Sequence, residues 1–120
     1  MTPRISVITV TLNSERFLAE CLASVAAQGD DLHEHIIVDG GSTDATLDIL
    51  RRHAASDSRV RWISEPDRGI SDAMNKGAAL ATGEIITHLN SDDYYPHPQV
   101  LSAVRESFSR NPFERTCGCG

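Results

Sequence analysis

The sequence lacks any run that approaches the roughly 18 consecutive apolar residues of a membrane-spanning helix, so we expect no transmembrane segment. Its start, Met1 to Arg4 followed directly by strand-like sequence, lacks the apolar core and cleavage site of a signal peptide. Cysteine is scarce as well, and the three cysteines make no disulfide framework. We therefore expect a cytoplasmic protein with reduced thiols, a location that includes the inner face of a membrane.

The chain also lacks an excess of positive charge. Its formal net charge of -6 disfavours a nucleic-acid partner, which would require a basic stripe. A nucleotide is not excluded, because a divalent cation between an acidic site and a diphosphate dominates the local field. Composition otherwise matches an ordinary globular domain, with 40% hydrophobic and 23% charged residues in 120 residues.

Several common catalytic and phosphate-binding patterns are missing. No segment matches the phosphate-binding loop G-x-x-x-x-G-K-[ST], and Asp39-Gly40-Gly41-Ser42 does not match G-x-G-x-x-G. A dinucleotide-binding oxidoreductase is therefore disfavoured. A nucleotidyltransferase of related topology is also disfavoured, because no basic Gly-rich segment follows the first apolar run. No Ser-His-Asp or Cys-His set suggests a covalent nucleophile.

Alternating short apolar runs and helical patterns make up most of the chain. Strands are predicted at about 5–12, 35–38, 60–64 and 84–89, and helices at about 15–27, 44–53, 70–81 and 98–110. This βαβαβαβα order predicts an α/β fold with a Rossmann-like parallel sheet flanked by helices. Small residues dominate the inward face of the third helix, so we expect it to lie close to the sheet. We assign 1–110 to one domain and 111–120 to an irregular tail.

Polar side chains follow the end of each predicted strand. They are Asn13, Asp39, the Asp67-Arg68 loop, and Asn90 to Asp93. In a parallel sheet these strand ends share one edge, where open α/β proteins bind ligands. Adjacent carboxylates at Asp92 and Asp93 repel each other, and a bound cation relieves that repulsion. The sequence therefore predicts a metal-assisted site at this edge.

Each of these residues also has a structural interpretation. Asn90 to Asp93 is a plausible turn, and Asp39 a plausible cap of the turn that follows it. Arg68 could bind phosphate or simply pair with Asp67. Asp72 and Lys76 are spaced as a surface ion pair on a helix. Tyr94 and Tyr95, which follow the turn, are expected to pack beneath the site.

Several segments together resemble the nucleotide-binding half of family 2 glycosyltransferases of the GT-A fold. These segments, which span about four fifths of the chain in the same order and spacing, are VITVTLN at 7–13, IVDGGSTD at 37–44, GISDAMNKG at 69–77, ATGE at 81–84 and LNSDD at 89–93. The resemblance implies transfer of a sugar from a nucleotide-diphosphate donor, commonly UDP-linked, to a carbohydrate or lipid-linked acceptor. It also implies Mn²⁺ or Mg²⁺ as the cofactor.

Matched by position, the resemblance assigns roles to individual residues. Asp39 looks like the carboxylate that reads the base, and Asn90-Ser91-Asp92 occupies the place of the DxD motif, with Asp92 as the metal ligand. Asn90 would contact a hydroxyl group, and Asp93 would support the ligand or replace it. The remaining donor contacts implied by the resemblance are Thr11, Leu12 and Asn13 at the nucleoside, and Arg68 and Asp72 elsewhere on the donor.

The sequence departs from the family pattern in three respects. Asn90 replaces the first Asp of the motif, which removes one charge, and Leu12 stands where many relatives have an aromatic residue. In the family the acceptor site and the general base follow the metal motif, whereas this chain ends soon after Asp93. We therefore expect a truncated GT-A domain without its general base. The alternative is a non-catalytic module that binds a nucleotide sugar.

Overall fold

A computed structural model of the chain describes residues 4–66, 69–110 and 116–118. Strands and helices alternate along it. The strands are β1 (Ile5–Thr11), β2 (Leu32–Asp39), β3 (Val60–Ser64), β4 (Ile85–His88) and β5 (Thr116–Gly118). The helices are α1 (Leu18–Ala26), α2 (Thr46–Ser56), α3 (Ile70–Leu80) and α4 (Val100–Arg110), with a single 3₁₀ turn at Gly29–Asp31.

The strands form one parallel sheet in the order β3-β2-β1-β4-β5. The predicted α/β fold is confirmed. The chain runs outward from β1 to β3 and then returns to place β4 on the other side of β1, so the strand order reverses between β1 and β4. Open α/β sheets form a crevice beyond the carboxyl ends of the strands at such a reversal.

Apolar side chains cover both faces of the sheet. On one face, α1, α2 and α4 bury residues such as Leu22, Leu50 and Leu101 against odd-numbered positions of β1 and β2. On the other face, α3 packs against Ile8 and Val38. Burial on both faces explains why the central strands read as continuous apolar runs rather than as alternating patterns.

The close approach of α3 depends on Gly77. A Cβ atom built at Gly77 would lie 2.5 Å from Cγ2 of Ile8 and 3.4 Å from Cγ2 of Val38. The expectation that small residues let this helix lie close to the sheet is therefore confirmed.

Residues 116–118 differ from the expected irregular tail, because they form β5 beside β4. The outer edge of β4 offers backbone donors and acceptors, and a parallel partner satisfies them. The domain boundary at residue 110 stays a prediction. None of the helices in the described part of the chain is long and apolar enough to cross a membrane.

Candidate functional site

An open pocket of about 550 Å³ lies at the strand-order reversal, beyond the ends of β1 and β4. Five of the predicted binding residues line it, namely Thr11, Leu12, Asn13, Asn90 and Asp92. Its other lining residues are Val10, Ser14, Phe17, Gly69, Ala73 and Ser91. The structure thus brings together the residues predicted after the first and fourth strands.

Asn13 shapes the loop after β1. Its φ of 49° lies in the left-handed region, which asparagine tolerates better than most residues. Its side-chain oxygen accepts a hydrogen bond from the backbone N–H of Thr43 at 2.9 Å, and its own N–H donates to Oγ of Ser42 at 2.8 Å. Asn and Ser are common helix-capping residue types, but neither Asn13 nor Ser14 caps α1 with its side chain. Asn13 instead joins the ends of β1 and β2.

Ser14 links the two sides of the crevice. Its hydroxyl lies 2.9 Å from that of Ser91, which follows β4, and its backbone N–H donates to Oγ1 of Thr46 at 2.9 Å. The backbone carbonyl of Ser14 accepts the N–H groups of Phe17 and Leu18, and α1 begins there. Hydrogen bonds thus connect the loop after β1 to α2 and to the turn after β4.

Asp39 is buried at the end of β2 and does not line the pocket. Its Oδ2 accepts hydrogen bonds from the N–H of Gly41 at 3.0 Å, the N–H of Ser42 at 2.8 Å and the hydroxyl of Ser64 at 2.8 Å. Its Oδ1 accepts the hydroxyl of Ser42. These bonds confirm the capping interpretation. A contact with a base would require one of the serine hydroxyls to turn away, and that role stays a prediction.

The segment Asn90 to Asp93 forms a turn and also presents polar side chains to the pocket, so it has features of both predicted roles. The N–H of Asp93 donates to the carbonyl of Asn90 at 3.0 Å, as in a turn. The same turn leaves the side chains of Asn90 and Asp92 exposed at the pocket, while Asp93 is half-buried. In the described part of the chain, no three His, Cys, Asp or Glu residues come together as a metal-binding group. A cation here would take most of its ligands from the bound molecule and water.

Asp72, like Asp39, does not line the pocket. Asp72 on α3 is half-exposed and forms an ion pair with Lys76 at 3.3 Å, as its structural interpretation predicted. Lys76 also pairs with Glu65 at 3.1 Å. Arg68 and Asp67 lie outside the described residues.

Phe17 lines the pocket, although the sequence does not indicate it as a binding residue. Phe17 and Leu18 both lie at helical spacing from Cys21, which predicts that both are buried. In the structure Phe17 immediately precedes α1 and is 48% exposed, whereas Leu18 is fully buried. The helix begins later than predicted, which changes the direction in which residue 17 projects. No pattern in the sequence distinguishes these two neighbours.

Thr11 presents a second unpredicted feature. Its Oγ1 is buried and has no hydrogen-bond partner among the described residues. Buried hydroxyl groups are nearly always hydrogen-bonded in folded proteins, and Thr11 lines the pocket. The oxygen atom itself is not accessible from the pocket, so other atoms of Thr11 form the lining.

The two tyrosines after the turn differ from each other. Tyr95 is buried, and its hydroxyl lies 3.2 Å from that of Thr87, so its predicted packing role is confirmed. Tyr94 is 53% exposed and does not pack beneath the site as expected. The turn geometry leaves only one of two adjacent side chains pointing toward the core.

The pocket has two chemically distinct parts. Leu12, Phe17 and Ala73 present apolar surface, and Asn90 with Asp92 presents exposed oxygen ligands. This arrangement suits a molecule with a flat apolar part and a part that binds a hard cation.

Known proteins with similar sequences and structures share this fold. The sequence profile described as "Glycosyl transferase family 2" matches residues 6–119. The chain is 41% identical over 103 residues to the PGL/p-HBAD biosynthesis glycosyltransferase of Mycobacterium bovis (strain BCG / Pasteur 1173P2), covering 85% of this chain and 40% of that protein.

Two solved structures are similar at the level of the backbone. The mannosyltransferase PcManGT from Pyrobaculum calidifontis, in complex with GDP-Man and Mn²⁺, has a TM-score of 0.78 at 31% identity and covers 88% of this chain. TarS 1-349 of S. aureus, in complex with UDP-GlcNAc, has a TM-score of 0.78 at 28% identity and covers 89% of this chain. The chain spans 32% of the first structure and 31% of the second. Because the family profile matches nearly its whole length, this chain belongs to glycosyl transferase family 2.

Proposed function

We propose that this chain is the donor-binding domain of a glycosyltransferase that transfers a sugar from a nucleotide-diphosphate-sugar, with UDP as the preferred nucleotide. The observation that carries the proposal is the pocket between β1 and β4, whose lining combines the exposed polar residues Asn90 and Asp92 with apolar Leu12 and Phe17. The two similar structures in complex with GDP-Man and UDP-GlcNAc support a nucleotide sugar as the ligand.

A divalent cation, Mn²⁺ or Mg²⁺, fits the oxygen atoms of this pocket. Mg²⁺ is commonly held by one or two carboxylates together with substrate phosphates, so a full protein cage is unnecessary. Asp92 is the proposed ligand, with Asn90 as a neighbouring contact to a hydroxyl group and Asp93 as its support or replacement. The cation would neutralise the negative charge that develops on the leaving diphosphate.

The other predicted binding residues would contact the rest of the donor. Thr11, Leu12 and Asn13 would surround the nucleoside. Asp39 would reach the base only after rearrangement of Ser42 or Ser64. Arg68 and Asp72 stay predicted donor contacts. A carbohydrate or lipid-linked acceptor, its general base and the cytoplasmic location also stay predictions.

A second candidate is a non-catalytic module that binds a nucleotide sugar without transferring it. The chain spans well under half of the length of the similar proteins. Turnover separates the candidates. Metal-dependent binding with neither sugar transfer nor donor hydrolysis supports the binding module, and product formation with any acceptor supports the transferase.

Isothermal titration calorimetry with UDP-, GDP- and TDP-sugars, with and without Mn²⁺, tests the binding step. We expect binding that requires the cation and is lost in Asp92→Ala. The matched control is Asp48→Ala, which removes an exposed carboxylate from α2 at a distance from the pocket lining. Binding that is unaffected by a chelator, or equal in Asp92→Ala and wild type, would refute the metal-assisted site.

A further inference from the structure

A contact between two hydroxyl groups spans the crevice. Oγ of Ser14, in the loop after β1, lies 2.9 Å from Oγ of Ser91, in the turn after β4, although 77 positions separate the two residues in the chain. Both residues are half-buried, and both line the pocket. None of the predicted donor or cation contacts uses either hydroxyl group.

One arrangement of the two hydroxyl hydrogen atoms satisfies every contact of this pair. Oγ of Ser14 also lies 3.3 Å from the backbone carbonyl oxygen of Leu12. A serine hydroxyl donates one hydrogen bond and accepts up to two. Ser91 therefore donates to Ser14, and Ser14 donates to the carbonyl of Leu12. The hydroxyl of Ser91 thus uses its single hydrogen atom to hold the turn to the loop after β1.

The loop side of this contact is held by two helices. The backbone N–H of Ser14 donates to Oγ1 of Thr46 on α2 at 2.9 Å. The carbonyl of Ser14 accepts the N–H groups of Phe17 and Leu18 at the start of α1, both at 3.0 Å. Because Ser14 is fixed in this way, a group that is hydrogen-bonded to its side chain is held against the same framework.

The other side of the contact is the turn that carries the proposed metal ligand. The N–H of Asp93 donates to the carbonyl of Asn90 at 3.0 Å, so Ser91 and Asp92 are the two central residues of the turn. The thiol of Cys21 lies 3.6 Å from the same carbonyl of Asn90. Since Asp92 is exposed, the direction of its carboxylate depends on the conformation of this turn, and Ser91 restrains the adjacent residue.

We propose that the Ser14–Ser91 hydrogen bond positions the turn so that the carboxylate of Asp92 is oriented for the cation before the donor binds; this rests on the proposed function. Mg²⁺ demands near-ideal octahedral geometry, so a misdirected carboxylate binds it poorly. Holding a group in its bound conformation beforehand lowers the entropic cost of binding. Ser14 and Ser91 are therefore positioning residues, because they contact each other and act through Asp92.

The two serines should behave as one unit. Ser14→Ala and Ser91→Ala should each raise the Kd of Mn²⁺ in the presence of UDP by about threefold to tenfold, the effect of one lost hydrogen bond. The double variant should be no weaker than either single variant, because both remove the same bond. Ser91→Thr keeps the hydroxyl and should match wild type to within about twofold. Ser56→Ala is the matched control, since its hydroxyl donates to a backbone carbonyl away from the pocket lining.

Calorimetry of the chain measures Mn²⁺ binding in the presence of UDP, and NMR titration measures binding of UMP without a metal. The proposal requires that both alanine variants weaken Mn²⁺ binding and leave the Kd of UMP unchanged. Equal Mn²⁺ affinity in wild type and both variants would overturn it. A loss confined to Ser91→Ala would also overturn it, by assigning that hydroxyl to direct contact with the ligand. Equal weakening of UMP and Mn²⁺ would overturn it too, because the bond would then support the pocket as a whole.

Amide hydrogen exchange tests the turn in the absence of any ligand. The N–H of Asp93 closes the turn, so this amide should exchange faster in Ser14→Ala than in wild type or in Ser56→Ala. Unchanged exchange would show that the turn is held without Ser14 and would contradict the proposal. Wild-type chain that binds no UDP in the presence of Mn²⁺ would refute the proposed function itself, whereas metal-dependent binding that both alanine variants preserve would refute only the positioning contact.

Discussion

Asp39 is a predicted binding residue whose observed contacts are structural. The carboxylate is buried and accepts four hydrogen bonds, from two backbone N–H groups and two serine hydroxyls. Those donors come from the loop after β2 and from β3, and the chain of bonds continues through Ser42 to Asn13 after β1. The residue therefore arranges the strand ends on which the pocket is built, even though it does not line the pocket.

Removing this carboxylate should destabilise the protein. In Asp39→Ala the N–H group of Gly41 and the buried N–H and hydroxyl groups of Ser42 lose their acceptor, which should lower the free energy of unfolding by about 2–4 kcal/mol. Asp39→Asn should cost less, because its amide oxygen still accepts at one position and the hydroxyl of Ser42 can reorient. Urea denaturation measures both. An Asp39→Ala variant as stable as wild type but unable to bind nucleotide would instead assign the carboxylate chiefly to the ligand.

The element that most restricts substitution is α3, which lies directly on β1 and β2. Its inward face has small residues, and the space for a side chain at Gly77 is already filled by Ile8. Because Cγ2 of Ile8 is attached to a branched Cβ atom, it has little freedom to move aside. The position of this helix also matters for the pocket, because Gly69 and Ala73 line it.

Gly77→Ala should therefore destabilise the fold although alanine is the better helix former. The gain in helix propensity is about 1 kcal/mol, and overpacking a core typically costs about 1–3 kcal/mol. We expect a net loss of up to about 2 kcal/mol in the free energy of unfolding, measured by thermal or urea unfolding. Asn75→Ala, at an exposed position of the same helix, is the control and should be neutral or slightly stabilising. A more stable Gly77→Ala variant would show that α3 can move away from the sheet without cost.

At the scale of the whole molecule, Glu34 joins several elements at the edge of the sheet opposite the pocket. It accepts hydrogen bonds from the hydroxyl of Ser6 at 2.6 Å, from the N–H of Thr82 at 2.6 Å and from Arg61 at 3.1 Å. Burial by itself raises the pKa of Glu34, but these hydrogen bonds lower it from 4.5 to about 2. The ionised carboxylate thus connects β1, β2, β3 and the loop before β4.

Acid should weaken this connection over a defined range of pH. Because the folded pKa lies below the unfolded value, the ionised group stabilises the fold above pH ~4.5, and the contribution is lost as the pH falls toward about 2. The loss should be on the order of 3 kcal/mol. Glu34→Gln should be less stable at neutral pH and should lose less stability on acidification, as measured by denaturation at several pH values.

Glu20→Gln, at an exposed position of α1, is the control for general charge effects. If Glu34→Gln and wild type lose stability in parallel between pH 5 and pH 2, the hydrogen bonds to Glu34 do not control acid stability.

The sequence by itself was sufficient for the order of the elements from β1 to α4, because apolar periodicity and the turn residues between the runs are local properties of the chain. It did not predict β5, which forms only by pairing with β4. It was also sufficient to place Asn13, Asp39 and Asn90 to Asp93 at one edge, since parallel strands leave no other arrangement of their carboxyl ends.

Only the tertiary structure decided how those residues divide their roles. Asp39 is buried because Ser42 and Ser64, from different segments, fold over it, whereas Asp92 is exposed because its turn faces the open crevice. Phe17 faces that crevice and Leu18 the core because the contact of α1 with the sheet, and not its local sequence, sets where the helix begins. Periodicity identifies which residues share a face of an element, but the direction in which that face points depends on what the rest of the chain packs against it.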